Sequence, residues 1–185
     1  MFVIVLLLLR RRRAAPSATT DDSTRPPKVP DQIPGSGLAG FLKARLAGTP
    51  ADGSAFTGSA PTSVVWVDAG DEVLVHLDSV QTQIAGQSVI VSIDLETEET
   101  GRSPILVVFA LGTDDAGGLI AATDEYPRGD GALVARWGAA VQAAAWSAML
   151  SLAGTHATER GLSPRGLAVV GGQLSLIAGH AFKVA

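Results

Sequence analysis

From Ser63 onward the chain alternates apolar and polar positions in short runs. Val64 to Val67 is an apolar run, and Asp68-Ala69-Gly70-Asp71 reads as a turn. Val73, Val75 and Leu77 then alternate with Glu72, Leu74, His76 and Asp78. The alternation resumes through Val80, Thr82 and Ile84, after a bend. A period of two puts successive side chains on opposite faces of a strand. Ala85-Gly86 predicts another turn, and Ser88 to Leu95 is the cleanest strand, with Val89, Val91, Ile93 and Leu95 on one face. Thr97 to Pro104 reads as an exposed acidic loop. Ile105 to Leu111 is apolar on both faces, which predicts a strand central in its sheet. Gly112 to Gly118 reads as a loop and Leu119 to Thr123 as a short strand.

The period then changes. Val134, Trp137, Val141, Ala144, Ala148 and Leu152 follow three-four spacing, and Trp137 to Ala153 holds no charged residue. Alanine, leucine and methionine favour helix. A helix from about Asp130 to Arg160 is predicted, apolar nearly all round and therefore buried against a sheet. Asp130 would cap its first amides, and Gly161, with Pro164 beyond it, would stop it. After it, Leu167 to Val170 and Leu174 to Ile177 flank Gly171-Gly172, a hairpin signal, and Ala181 to Val184 would extend the last strand. Before the strands, Gly37 to Gly48 forms a short helix with Leu38, Phe41, Leu42 and Leu46 on one side, followed by a loop from Thr49 to Thr62.

Short turns between the early strands require antiparallel pairing. The expected fold is α+β: a mainly antiparallel, curved sheet of about seven strands packed on one long apolar helix, with a short N-terminal helix. Residues 37–185 would form one α+β domain.

The first 36 residues read differently. Met1 to Leu9 is wholly apolar, and Arg10 to Arg13 follow at once. Nine residues do not span a bilayer, which needs about 20. A secretory signal carries its positive charges first, so the order here is reversed. Residues 1–13 look like the end of a membrane anchor with a cytoplasmic arginine stop. A short interfacial foot and a gene-start artefact are the alternatives. Residues 14–36 are rich in proline, serine and threonine, which predicts a disordered linker.

Composition excludes several chemistries. There is no cysteine, which removes disulfides, thiol catalysis and Cys-ligated metals. There is no asparagine, hence no N-glycosylation. Arginine outnumbers lysine eleven to three, as expected from a GC-rich bacterial genome. Residues 1–35 carry net charge +3 and the remainder −7. An acidic body argues against nucleic acid as a partner.

Motifs add little. Gly35 to Gly40 satisfies GxGxxG, but a proline-rich stretch precedes it where dinucleotide binding needs a strand. Gly161 to Arg165 lacks the second glycine of a nucleophile elbow. Asp68, Asp71 and Glu72 cluster at one glycine turn, and Asp114 and Asp115 at another, without the spacing of a calcium loop. Asp94, Glu96, Glu98 and Glu99 have no lysine just beyond them, as a metal-dependent nuclease would require. His76 and Asp78 share a strand face, and His180 would join them if the last strand pairs nearby. Such a trio could supply an acid–base pair or an open metal site.

The residues identify no known family. No cofactor and no metal is expected, and the chain reads more readily as a non-enzymatic interaction module than as an enzyme. It would sit in the cytoplasm, at the inner face of the membrane, and bind another protein through sheet edges or the helix face. Membrane contact would run through residues 1–13. The alternatives are a small-ligand-binding or hydrolytic domain using His76, Asp78 and His180, and a self-associating subunit of a phage or secretion assembly.

Overall fold

The computed structural model describes residues 31–34, 36–111, 121–122 and 127–180. The apolar start, most of the predicted linker, the loop at 112–118 and the extension at 181–184 lie outside the described residues. The elements, in order, are β1 (Asp31–Gln32), α1 (Ser36–Arg45), β2 (Thr49–Pro50), α2 (Ser54–Thr57), β3 (Ser63–Asp68), β4 (Asp71–Ala85), β5 (Ser88–Thr97), β6 (Gly101–Leu111), β7 (Ala121–Ala122), β8 (Arg128–Gly129), α3 (Gly131–Arg160), β9 (Leu162–Val170) and β10 (Gln173–His180).

The fold is α+β, and its strands divide between two sheets. The larger runs β2-β3-β4-β5-β6-β7, with β8 also paired to β6, and every pairing is antiparallel. The smaller runs β1-β10-β9. The expected sheet of about seven strands corresponds to the larger one, but the C-terminal hairpin expected within it lies in the smaller sheet. The C-terminal hairpin forms as its turn glycines predict, but it takes β1 as its neighbour rather than a strand of the larger sheet. Local turn chemistry fixes a hairpin; which sheet it joins is a matter of long-range packing.

The Thr97–Pro104 stretch also differs from expectation. Only residues 98–100 turn, and β5 and β6 pair on through Glu96 with Arg102 and Asp94 with Pro104. The Arg102 guanidinium donates to the Asp94 carboxylate at 2.8 Å across this pair. That cross-strand ion pair carries the sheet through residues whose own propensities point to a loop.

One face of the larger sheet holds Val73, Val75, Val89, Val91, Ile93, Ile105, Val107 and Phe109, all buried. Both α1 and α3 pack there, and α3 also packs on β9 and β10. Burial on two sides explains why α3 is apolar nearly all round: Leu133, Trp137, Val141, Ala145, Met149, Leu152 and Ala153 are all buried. The Asp130 carboxylate accepts from the Ala132 and Leu133 amides, and Gly161 ends the helix in the left-handed region. Trp137 meets Trp66 of β3 at 5.7 Å between ring centroids, and Trp146 stacks with Phe109 of β6 at 5.8 Å. Arg136 ties the same end to the β3–β4 turn. Its guanidinium donates to Asp71 and to the Asp68 carbonyl, and lies 4.3 Å from the Trp137 ring centroid. The hydrogen bond and charge of Asp71 raise its pKa further.

Candidate functional site

β4 carries two of the three residues that the alternation singled out. His76 and Asp78 both lie off the core face, which Val73, Val75 and Leu77 occupy. His76 Nε2 is 2.7 Å from a Glu96 carboxylate oxygen on the neighbouring strand. Asp78 is 3.9 Å from Arg102, which also bonds Asp94. The Arg102 pKa is raised, chiefly by that Asp94 bond. His180 ends β10 in the other sheet, with its backbone opposite Leu162, and its side chain is outside the described set. The structure thus brings His76 together with Glu96 as a cross-strand hydrogen-bonded pair, and Asp78 with Arg102 as an ion pair, on the face of the sheet away from the core. Glu96 lies twenty residues from His76 in sequence, so the alternation alone did not point to it. Among the described residues no group of three or more histidines and carboxylates is arranged to hold a metal.

A second feature is a cleft of about 680 Å³ at the far end of β4. Ile33, Leu38, Ile84, Val89 and Leu174 give it apolar walls. Gln32, Thr82, Gln83 and Gln173 add neutral polar groups. Its size is that of a small-ligand or peptide site, typically about 300–1,000 Å³. Among the described residues, none that lines the cleft carries a charge, so these residues supply no ionised acid, base or nucleophile.

The third feature is the loop between β2 and β3. Gly53 and Gly58 bracket the single turn of α2, both in the left-handed region, at φ 75° and 69°. A side chain at either position would be strained there, so the pair lets the chain enter and leave the turn abruptly. The Asp52 carboxylate braces the loop. It accepts from the Ser54 amide at 3.0 Å and from the Thr62 hydroxyl at 2.6 Å, and also from the Thr62 amide. Phe56 sits at the crest and is 95% exposed. Among the described residues it is the one exposed aromatic; the other large exposed apolar side chains are Val67, Leu150 and Val170. The hydrophobic pattern gave no sign of it, because a single outward phenylalanine belongs to no period. Two glycines five apart around it, after an aspartate, were the available signal.

The hydrogen bonds from Thr62, then those from Ser54, favour the charged form of Asp52 and hold its pKa below the usual carboxylate range. The folded value is depressed, so the bracing is fully present above the unfolded value of about 3.9 and is lost as pH falls through the folded value. An NMR titration following the Thr62 amide should show a midpoint well below about 3.9. A midpoint at the ordinary aspartate value would mean that the brace is not formed in solution.

Compared with known proteins, the chain matches no family model, no curated protein and no solved structure. No helix of the described residues is long and apolar enough to cross a membrane.

Proposed function

We propose that this chain is a non-enzymatic protein-interaction module that engages a partner through Phe56. The observation that carries the reading is a large aromatic ring held 95% exposed on a loop braced by hydrogen bonds among Asp52, Ser54, Thr57 and Thr62. An exposed phenylalanine costs nothing in water that cannot be recovered on binding, where its burial contributes about 1.5–3 kcal/mol. A pre-shaped loop loses little freedom when it docks, and this preserves the gain. Aromatic anchors of this kind dominate binding at protein interfaces. The uncharged cleft and the paired state of His76 and Asp78 support binding over catalysis. Residues 1–13 would hold the module at the inner face of the membrane, an apolar run backed by four arginines.

The test is capture of partners from native cells by full-length protein, with and without Phe56→Ser. Truncating a central anchor costs about 2 kcal/mol or more, a loss of about 30-fold in affinity. The serine variant is expected to melt as the parent does, since Phe56 is exposed, and to lose the captured protein. Equal yields of the same partner from both forms would sink the proposal.

A further inference from the structure

We propose that the cleft takes an extended, uncharged segment of a partner protein, which adds as a strand to the free edge of β4. This extends the interaction reading to a second surface in which Phe56 takes no part. β4 has fifteen residues, but β3 pairs only with Asp71 to His76. Among the described residues no strand pairs with Val80 to Ala85 on that side, while β5 pairs with Gln81 to Ala85 on the other. The backbone groups of a strand edge are a template for another chain.

The cleft opens at this edge. Successive strand residues point to opposite faces. Thr82, Gln83 and Ile84 of β4 line the cleft, and Val89, opposite Ile84 on β5, extends it from the edge onto the core face. Its opposite wall comes from the smaller sheet, through Ile33 beside β1 and Leu174 of β10. A volume of about 680 Å³ between two such walls suits one extended segment and leaves no room for a second sheet.

This edge is also unguarded. Native edges are blunted by charged side chains, proline or very short strands. The outer strand β2 has two residues, one of them Pro50, and the outer strand β9 contains Pro164. Val80-Gln81-Thr82-Gln83-Ile84-Ala85 has neither charge nor proline, and the register break of β4 lies before Gln81. An edge left unguarded inside a walled cleft is built to be paired. The occupant's chemistry follows from the lining. Alternate side chains of the added strand would meet the accessible apolar groups of Ile84 and Pro34, and the others the amides of Gln83 and Gln173. A charge on either set would be desolvated without a partner, and the body around the cleft is already acidic.

The experiment selects random twelve-residue peptides displayed against immobilised full-length protein. Enriched sequences should be free of charge and proline, with apolar residues at every second position. A synthetic peptide of the leading sequence should bind the parent and Phe56→Ser equally. It should bind Gln83→Lys at least about tenfold more weakly, because the lysine restores an edge guard. Gln83 is exposed, so that variant should melt as the parent does. The same peptide with alternate backbone amides methylated should not bind. Failure to enrich any sequence, enrichment of charged or proline-rich ones, or full binding by Gln83→Lys would overturn the proposal. So would loss of binding in Phe56→Ser, which would place the peptide on the loop. The capture experiment with Phe56→Ser can fail without affecting any of these outcomes, so the two proposals are separable.

Discussion

Phe109→Ala is expected to destabilise the protein by about 3–5 kcal/mol, the range for removing a buried aromatic ring. Phe109 is 2% exposed on β6, with Val89 opposite it on β5 and the Trp146 ring of α3 stacked above it at 5.8 Å. Truncation removes the transfer free energy of the ring, the aromatic contact of about 0.5–1.5 kcal/mol, and the packing around the void. The site has little scope to collapse, because its walls are a sheet on one side and a long helix on the other. The loss corresponds to a fall in melting temperature of about 6–20 °C at this chain length. Denaturant unfolding should show a lower midpoint with an unchanged slope. A loss under about 1 kcal/mol would mean that α3 does not pack on β6 as described.

Leu42→Ala is the second large effect, expected at about 2–5 kcal/mol. Leu38, Leu42 and Leu46 recur every fourth residue of the α1 segment, and each is 2% exposed or less. That stripe packs α1 against both α3 and β4. The approach of the two helices is close: a side chain added at Gly37 would come within 3.0 Å of Leu152. A helix merely laid on the surface would lose far less on truncation. Calorimetry of the variant separates the cases, since a single shifted transition marks α1 as part of the cooperative unit. An early separate transition, or a loss below about 1 kcal/mol, would show that α1 docks independently.

The elements that could be read from sequence were those whose own residues agree with their surroundings. α3 was legible from its alanine-rich apolar run, with Asp130 at one end and Gly161 at the other. β4 and β5 were legible from alternation, and even the change of buried face after Leu77 showed as a break in the period. β6 began earlier than its apolar run, because Arg102 on β6 pairs with Asp94 on β5 across a turn whose polar residues read as a loop. The hairpin of β9 and β10 was visible in Gly171-Gly172, whereas its partner β1, two residues of the predicted linker, was not. A two-residue strand has no period to detect.

The site was less legible for the same reason. The shared face of His76 and Asp78 follows from a period of two; their partners Glu96 and Arg102 come from other strands. The free edge of β4 exists because β3 stops short, which is a property of pairing and not of composition. Phe56 is exposed because Asp52, Thr62 and two glycines shape the loop beneath it.

The most direct test of the interaction reading replaces Phe56 in the full-length protein with a photo-crosslinking amino acid and irradiates native cells. A control carries the same group at Glu159, exposed on α3. A discrete adduct with another protein is expected from position 56 and none from position 159. No adduct from position 56, or the same adduct from both positions, would contradict the interaction reading.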